Sequence, residues 1–314
     1  MTRRDKGASM RILVTGSSGW LGQTLVPRLR RDGHHIVGLD PVPGATTDIV
    51  GSIAECQTVR RVIRDGGIEA IVHSGALHKP NVETHTPTDF VAVNVQGTLN
   101  LLEAAVAPGS TVGRFVMTST TSLMISRAVR AGRDGGAREA AWMTEDLAPL
   151  APRNIYGVTK YAAENLCRMY HELHGLAAVI LRTGRFFPEE DDMAHAISQS
   201  GENTKANELL FRRATVEDMA EAHVAALARA PDLRFDNFII APRTPFTRAD
   251  CAELITDAPA VVRRHFPEYP AIYARLGWTM FQSIDRVYDA TRAFERMGFA
   301  CRTGFAEKLA ELGR

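Results

Sequence analysis

A glycine-rich turn between an apolar strand and a helix is the feature that most constrains this chain. The strand is Arg11–Thr15, and the turn after it carries glycines at Gly16, Gly19 and Gly22. At these spacings the first glycine permits a tight turn, the second lets the backbone approach a pyrophosphate, and the third allows close helix–strand packing. The unpaired N–H groups at the start of the helix attract phosphate. The sequence therefore predicts a dinucleotide-binding β–α unit rather than a glycine turn without a ligand.

The second strand, predicted at His35–Asp40, ends on an acidic residue. Asp40 lies 18 residues after Gly22, where a carboxylate accepts hydrogen bonds from the adenosine ribose and repels a 2′-phosphate. No Arg or Lys follows Asp40 within the next several residues, so the sequence favours NAD over NADP, with a solvated loop aspartate as the alternative. The turn residues predicted to contact NAD are Gly16, Ser18, Gly19, Trp20, Leu21 and Gly22.

Apolar strands and amphipathic helices alternate from residue 10 to residue 183. This order predicts an α/β fold of the Rossmann type, a doubly wound parallel sheet with helices on both faces. We expect residues 10–183 to form the NAD-binding domain, with 212–245 returning to it and adding a strand at Asn237–Ala241. Residues 184–211 and 246–314 are then expected to form a smaller substrate-binding region.

The later chain is less regular. Three segments there have helical spacing, namely Phe246–Thr256, Pro270–Leu276 and Ser283–Met297. Residues 127–141 are rich in Arg, Gly and Ala and lack an apolar period, which predicts a surface loop, with a lid over the substrate as the alternative. The acidic run Glu189–Asp192 is interpreted as a solvated turn rather than a cation site.

Tyr156 and Lys160 are four residues apart at the start of a predicted helix, so their side chains lie on one face. A free tyrosine titrates at about pH 10, and lowering that pKa by about three units takes about 4 kcal/mol. One positive charge at about 4 Å supplies a similar energy at an effective dielectric constant of about 20. A nearby ammonium and an oxidised nicotinamide both favour the phenolate, so the pair is predicted to be a catalytic base and the ammonium that helps to lower its pKa. A Tyr–Lys pair on a solvated helix is the alternative.

Hydroxyl side chains occupy every position from Thr118 to Ser122, directly after the strand predicted at Arg114–Thr118. The carboxyl end of a strand in an open α/β sheet faces the ligand crevice. One of these hydroxyls could therefore bond the reacting oxygen of a substrate. Strand alternation lets only some of them point inward, and spacing alone leaves both Thr120 and Thr121 as candidates.

Together these features resemble the extended short-chain dehydrogenase/reductase family, the NAD-dependent epimerase/dehydratase group. Thr15–Gly22 is similar to the family's T-G-x-x-G-x-x-G turn, and His73–Ala76 to its H-x-A-A segment along the cofactor. Asn94–Ala105 closely resembles its N-V-x-G-T-x-N-L-L-E-A-A helix. The later matches are Arg213–His223 and, in the C-terminal pattern, Ser283–Tyr288 with Met297–Phe299. The resemblance thus covers most of the chain.

The resemblance implies a role for each matching residue. Tyr156 would be the catalytic base, Lys160 would hold the nicotinamide ribose, and Thr120 falls at the family's catalytic Ser/Thr. The other implied NAD contacts are Asp48, Ile49, Ser74, Gly75, Ala76 and Asn94. The implied reaction is oxidoreduction or epimerisation at a secondary hydroxyl of a sugar or sugar derivative, often a nucleotide sugar. The implied assembly is a homodimer that pairs through the helix of Tyr156 and its neighbour.

Departures from the family pattern bear on the substrate. Thr121 and Ser122 stand where the family's 4,6-dehydratases carry Asp-Glu, which disfavours a dehydratase. Arg185 replaces the asparagine of the family's R-x-x-N-x-x-G-P segment, which argues against a standard nucleotide sugar. The predicted substrate contacts are His78, Thr121, Arg185 and Arg213, although ordinary ion pairing is an equal alternative for the arginines.

Two alternatives to an epimerase stay open at this stage. One is a sugar or uronate dehydrogenase that releases NADH, which differs from an epimerase only in whether the reduced cofactor and the product leave. The other is a non-catalytic NAD-sensing protein, because some folds keep a cofactor site without the chemistry. The intact pair of Tyr156 and Lys160 argues against the second alternative.

Charge and composition argue against other classes of partner. The net charge of +1, from 37 Lys+Arg and 36 Asp+Glu, gives no electrostatic basis for binding nucleic acid or an anionic membrane. No apolar run approaches the about 20 residues that a membrane helix needs. The basic N-terminus lacks an apolar segment after it, so no signal peptide is expected.

Cysteine and histidine spacing gives no metal or disulfide pattern. The four cysteines are far apart and form no C-x-x-C pair, which favours a reducing, cytoplasmic location. His73, His78 and His85 have no carboxylate at ligand spacing, so no metal site is predicted.

Overall fold

The computed structural model describes residues 9–130, 137–187 and 199–314. The acidic run Glu189–Asp192 lies outside the described residues. The strands are β1 (Arg11–Thr15), β2 (His35–Asp40), β3 (Ile49–Val50), β4 (Ala70–His73), β5 (Arg114–Thr120), β6 (Ala141–Met143), β7 (Ala177–Thr183), β8 (Phe235–Ile240) and β9 (Arg286–Tyr288). Within the described part of the chain, seven of these strands form one sheet in the order β3-β2-β1-β4-β5-β7-β8.

The strand pairing confirms the predicted Rossmann-type fold. β1 pairs in parallel with both β2 and β4, and β4 pairs in parallel with β5. Backbone bonds from Ala178 N to Arg234 O and from Gly184 N to Ile240 O advance in the same direction along β7 and β8. The chain reverses its direction of winding between β1 and β4, and ligands bind at such a switch point, beyond the carboxyl ends of the strands.

The α-helices follow the predicted alternation in the first half of the chain. They are α1 (Trp20–Arg31), α2 (Cys56–Gly66), α3 (Pro87–Phe90), α4 (Gly97–Ala105), α5 (Arg127–Arg130), α6 (Ile155–His174), α7 (Gly201–Glu208), α8 (Val216–Leu233), α9 (Cys251–Thr256), α10 (Ala258–His265), α11 (Tyr269–Leu276) and α12 (Phe305–Leu312). A π-helical turn at Val91–Gln96 joins α3 to α4. Among the described residues, no helix combines the length and apolar character needed to cross a bilayer.

The chain divides into two compact units. The first comprises the described residues up to Leu123 together with Pro152–Arg182 and Ala220–Phe238, and the second comprises Met124–Ala151, Thr183–Met219 and Ile239–Arg314. The core of the first unit packs α2, α4 and α6 against the sheet through apolar side chains such as Leu13, Ile71, Leu101, Phe115 and Ile180. The second unit has its own core, which includes Phe211, Leu254, Val261, Tyr273 and Phe305.

Two segments of the second unit differ from the sequence prediction. Ser283–Met297 was expected to be a helix, but it contains the buried strand β9, which pairs in parallel with β6. Only its end is helical: Thr291 and Arg292 are α-helical, and Ala293–Met297 form a π-helical turn. The predicted surface loop 127–141 begins as helix α5 and ends in the buried Ala140 and the first residue of β6, while 131–136 lie outside the described residues.

Candidate active site

The glycine turn after β1 has no space for side chains at two of its glycines. Gly16 has a φ of +72°, and a Cβ there would lie 2.6 Å from the backbone nitrogen of Gly75. A Cβ on Gly22 would lie 2.3 Å from the carbonyl oxygen of Gly16. Both positions therefore require glycine, for the tight turn and for close packing of α1 on the turn.

The start of α1 suits a phosphate group. Its N-cap residue, Gly19, has no side chain to satisfy the first N–H groups of the helix, and the first turn holds no acidic residue. Such a helix start presents backbone donors and a partial positive charge to an anion. Leu21 is buried under the turn, whereas Trp20 is 43% exposed beside it.

Asp40, at the end of β2, is already tied to the glycine turn. Its Oδ2 accepts a hydrogen bond from the Ser18 backbone N–H (3.1 Å), and its Oδ1 accepts one from Val42 N–H (2.8 Å). The Thr47 hydroxyl lies 2.7 Å from the hydroxyls of both Ser17 and Ser18. Glycine turn, carboxylate and the loop after β2 therefore form one connected edge, and these residues fit the pyrophosphate and ribose of NAD.

Asp48 and Ile49 lie at the start of β3, on the outer side of β2. Asp48 Oδ2 accepts a hydrogen bond from the Gly38 backbone N–H (2.7 Å) and lies 3.4 Å from the Arg30 guanidinium. Ile49 packs against the core of the first unit. The structure thus uses the Asp48 carboxylate to hold β2, and its implied contact with adenine stays a prediction.

The segment after β4 closes over the glycine turn. Ser74 Oγ donates a hydrogen bond to the Thr15 carbonyl (2.7 Å), and Gly75 N–H donates one to Thr15 Oγ1 (3.1 Å). Ser74, Gly75 and Ala76 are half-buried. Their backbone therefore borders the site where β1 and β4 end.

Thr120 and Tyr156 meet at the carboxyl end of β5. Asn154 caps α6 by accepting a hydrogen bond from Gly157 N–H at 2.9 Å, which sets the first turn of the helix that carries Tyr156. The Tyr156 hydroxyl hydrogen-bonds Thr120, and Thr120 Oγ1 also accepts the Ser122 backbone N–H at 3.0 Å. Of the two threonines that spacing left open, the structure brings Thr120 to Tyr156.

The pKa of Tyr156 differs from the sequence expectation. Burial raises that pKa to about 12, and the hydrogen bond with Thr120 lowers it by less. Lys160, one turn further along α6, is only 3% exposed, and burial lowers its pKa to about 8 against the attraction of Cys167 and Glu164. The lowering predicted from Lys160 together with an oxidised nicotinamide therefore does not occur in the protein without cofactor, where burial dominates the pKa of Tyr156.

Asn94 lies in the π-helical turn and is 1% exposed. Its Oδ1 accepts a hydrogen bond from Leu77 N–H (2.8 Å), while its Nδ2 donates to the Leu77 carbonyl (2.9 Å) and to Thr159 Oγ1 (3.0 Å). Thr159 directly precedes Lys160. Asn94 therefore joins the segment after β4 to α6.

Three buried residues linked to Asn94 were not predicted as functional candidates. Thr159 accepts from the Asn94 side chain, the Thr98 hydroxyl donates to the Asn94 carbonyl, and His73 Nε2 lies 3.0 Å from Thr98 Oγ1. His73 was considered only as a motif residue and a rejected metal ligand, and Thr98 and Thr159 were not considered on their own account. Asn94 and Thr98 are one helical turn apart, and this spacing could have identified Thr98 from the sequence. No sequence spacing connects His73 to Thr98, because the two residues come together only in the folded protein.

The predicted substrate residues are placed differently from one another. Thr121 is buried at the start of the 3₁₀ turn Thr121–Met124 in the first unit. His78 is half-buried in the same unit, and its backbone N–H donates to Asn81 Oδ1 at 2.9 Å. Their contact with a substrate stays a prediction.

The predicted substrate residues Arg185 and Arg213 lie in the second unit, where they and Arg212 surround the fully buried Glu208. Arg213 Nε is 2.6 Å from Glu208 Oε2, and its Nη1 donates to the Phe187 carbonyl at 2.6 Å. Arg212 Nη2 donates to Glu208 Oε1 at 2.5 Å, and Arg185 Nε lies 3.9 Å from Oε2. Burial lowers the pKa of Arg213, and Glu208 opposes this. Ion pairing therefore occupies Arg213, while Arg185 has the more exposed side chain, at 22%.

The described residues contain no group of three or more His, Cys, Asp and Glu side chains that could hold a metal ion.

Comparison with known proteins identifies the family. The model of the NAD dependent epimerase/dehydratase family matches residues 12–241, which is more than half of the 314-residue chain. The chain belongs to this family. Membership confirms the predicted resemblance, the class of NAD-dependent enzymes of the extended short-chain type, and NAD as the cofactor.

Curated relatives within the family differ in their reactions. The chain is 31% identical to a UDP-glucose 4-epimerase of Azospirillum brasilense over 184 residues, which are 56% of this chain and 49% of that protein. It is 28% identical to a 3-beta-hydroxysteroid dehydrogenase of Mycolicibacterium neoaurum over 248 residues, 75% of this chain and 58% of that protein. The chain thus spans about half the length of the curated relatives it matches.

Solved structures match over nearly the whole chain. A short-chain dehydrogenase/reductase superfamily protein from Agrobacterium tumefaciens with bound NAD superimposes with a TM-score of 0.66 at 24% identity, covering 96% of this chain and 95% of that one. The UDP-Glc/GlcNAc 4-epimerase from Campylobacter jejuni gives a TM-score of 0.69 at 17% identity, covering 97% and 98%. At these identities the likeness establishes the fold.

Proposed function

We propose that this family member oxidises a secondary hydroxyl of a sugar or sugar derivative with NAD, with Tyr156 as the proton acceptor. The observation that carries the proposal is the hydrogen bond between Tyr156 and Thr120 at the carboxyl end of β5, with Lys160 one turn further along the same helix. Parallel α/β sheets bind ligands at this edge. The residues that would hold NAD there are the glycine turn, Asp40 and the segment after β4.

Tyr156 and Thr120 would act on the substrate hydroxyl. The phenol oxygen takes the substrate proton, while the Thr120 hydroxyl fixes the position of the reacting oxygen. Because burial holds the pKa of Tyr156 at about 12, the phenolate needs additional positive charge beside it. Lys160 carries one such charge on the same face of α6. When bound, NAD supplies the hydride acceptor and the second positive charge.

The substrate class is supported by the names of relatives and by three side chains. Several relatives are UDP-glucose 4-epimerases by name, and others are dTDP-glucose 4,6-dehydratases. Thr121 and Ser122 stand where the sequence resemblance places the acidic pair of such dehydratases, which disfavours a dehydratase. Arg185, whose guanidinium is partly exposed, is a candidate for binding a phosphate or carboxylate group.

A homodimer and a cytoplasmic location belong to the same proposal. The exposed face of α6 carries Val158, Met169 and Leu173, and Val91 is exposed on the neighbouring π-helical turn. These are the two elements through which the sequence resemblance implies that a second copy docks.

Tyr156→Phe tests the proposed chemistry because it removes only the phenol oxygen. The variant should lose about 10²–10⁴-fold in turnover, the range for general acid–base catalysis, and still bind NAD with wild-type affinity. The measurement is a panel of nucleotide sugars, free sugars and uronates, with NADH absorbance and product chromatography as readouts. Tyr161→Phe, which removes a second phenol oxygen from α6, is the matched control and should retain activity.

The same panel separates the alternatives. Net NADH formation by the wild type indicates a dehydrogenase, and an epimeric product without net NADH indicates an epimerase. If the wild type and Tyr156→Phe bind NAD equally and neither converts any substrate, the NAD-sensing alternative replaces our proposal.

A further inference from the structure

A continuous chain of buried hydrogen bonds runs from the glycine turn to α4. Thr15 Oγ1 is 2.8 Å from His73 Nδ1, and His73 Nε2 is 3.0 Å from Thr98 Oγ1. Thr98 Oγ1 in turn donates to the Asn94 carbonyl at 2.6 Å. Thr15, His73 and Thr98 are at most 1% exposed, so water does not compete for these bonds.

The direction of each bond follows from the chemistry of its end. A carbonyl oxygen only accepts, so the single hydroxyl proton of Thr98 goes to Asn94, and His73 Nε2 must donate to Thr98. The other ring nitrogen of a neutral imidazole is then an acceptor, so Thr15 donates to Nδ1. Thr15 Oγ1 keeps a lone pair for the Gly75 N–H, which reaches it at 3.1 Å.

The neutral form of His73 is consistent with its surroundings. The ring contacts Phe115 with a centroid separation of 6.0 Å, and the charged group acting on it is the ammonium of Lys160. Burial first, and then this like charge, hold the pKa of His73 well below its usual range. A positive charge on the His73 ring would be removed from water and repelled by the Lys160 ammonium.

The two ends of the chain belong to different parts of the site. At one end, Thr15 precedes Gly16, whose turn is closed by Gly75. At the other end, the Asn94 side chain bonds Thr159, the residue before Lys160. We propose that His73 is a positioning residue, fixed as the Nε2–H tautomer, that couples the phosphate-binding turn to the helix of Tyr156 and Lys160. The positioning proposal depends on the proposed function only because that function assigns a catalytic role to the helix of Tyr156 and Lys160.

The tautomer is tested by nitrogen NMR on the whole protein labelled with ¹⁵N-histidine. We expect one resonance pair, missing in His73→Gln, with the pattern of an Nε2–H imidazole and no change from about pH 5.5 to about pH 8.5, where free histidine titrates. An Nδ1–H pattern, or titration of His73 in that range, would overturn the proposal.

The positioning role is tested by NAD binding. Thr98→Val removes the hydroxyl in the middle of the chain and should raise the Kd for NAD about tenfold, the effect of one buried hydrogen bond. Thr98→Ser keeps the hydroxyl and should restore the wild-type Kd. Thr111→Val is the matched control, because Thr111 Oγ1 bonds the Ile68 carbonyl outside this network. An unchanged Kd in Thr98→Val refutes the inference.

A mutant cycle on the Kd for NAD tests whether the glycine turn and α6 are energetically coupled or whether each residue only stabilises its own surroundings. Thr15→Val and Thr159→Val, at the two ends, should have non-additive effects in the wild type and additive effects when Thr98 is already Val. Additivity in both backgrounds refutes the coupling. A wild type that binds NAD but converts no substrate refutes the proposed function alone, since these three measurements need no turnover.

Discussion

At the scale of single residues, burial of Lys160 makes the free energy of unfolding vary with pH in the alkaline range. Its pKa falls from 10.5 to about 8. Between these values the unfolded chain binds more protons than the native protein, so the free energy of unfolding rises with pH across this window. Lys160→Met removes the titrating group and should therefore be more stable than the wild type at about pH 7. That advantage should shrink by about 2 kcal/mol at about pH 9.5.

Urea unfolding of both proteins at the two pH values measures this difference. Lys205→Met, which removes a lysine from α7 on the surface, is the control for losing the residue type. A stability difference between Lys160→Met and the wild type that stays constant with pH would contradict a lysine of low pKa.

Individual site residues could be predicted where their chemistry is visible in the sequence. The glycine turn, Asp40, Tyr156 and Lys160 each have a residue type and spacing that serve one purpose, and the structure brings them to one edge of the sheet. The sign of the tyrosine pKa could not be predicted, because desolvation depends on packing that spacing does not show. His73 was not predicted as a functional residue because its partners Thr15 and Thr98 are distant from it in sequence and meet it only in the folded protein.

At the scale of elements, a buried ion pair joins α6 to the sheet. Glu164 on α6 accepts hydrogen bonds from Ser119 Oγ on β5 at 2.6 Å and from Arg182 Nη2 on β7 at 2.7 Å. Both charged side chains are 5% exposed. Because α6 carries Tyr156 and Lys160, the ion pair fixes this helix against β7, and the Ser119 hydrogen bond fixes it against β5, the strand that ends in Thr120.

Glu164→Gln keeps the shape of the side chain but removes its negative charge from beside a buried guanidinium. We expect a loss of about 3–5 kcal/mol in the free energy of unfolding, the range for breaking a buried ion pair. Urea denaturation measures it. Asp232→Asn breaks the exposed Arg229–Asp232 pair and should leave stability unchanged within error. A loss below about 1 kcal/mol in Glu164→Gln would show that the pair is not needed.

Most elements of the first unit were predictable because they carry their own signal, whereas the short β3 and α3 were not predicted. Strands such as β1 and β4 are short apolar runs, and α1 and α6 have periodic apolar faces. The strand β9 lacked such a signal, since Arg286–Tyr288 lies in a segment with helical apolar spacing. Its partner β6 is more than a hundred residues earlier in the chain. Tertiary pairing therefore decided its structure against the local pattern.

At the scale of the whole molecule, an apolar face on α6 bears on the proposed dimer. Val158, Ala162, Met169 and Leu173 follow one another at spacings that place them on one side of the helix. Val158, Met169 and Leu173 are 47%, 40% and 68% exposed. Three large apolar side chains in one stripe are more than scattered surface residues, and such stripes mark interaction sites.

Leu173→Lys should convert the dimer to a monomer. A two-fold interface presents each residue twice, so one substitution places two positive charges on the apolar face, where neither has a partner. Sedimentation velocity at micromolar concentration should give twice the chain mass of 34.4 kDa for the wild type and the chain mass for the variant. Leu276→Lys, at an exposed leucine on α11, is the matched control and should remain dimeric. A wild type that sediments as a monomer, or a Leu173→Lys variant that stays dimeric, would place the interface elsewhere or remove it. Loss of the dimer with NAD affinity intact would further show that cofactor binding is a property of the single chain.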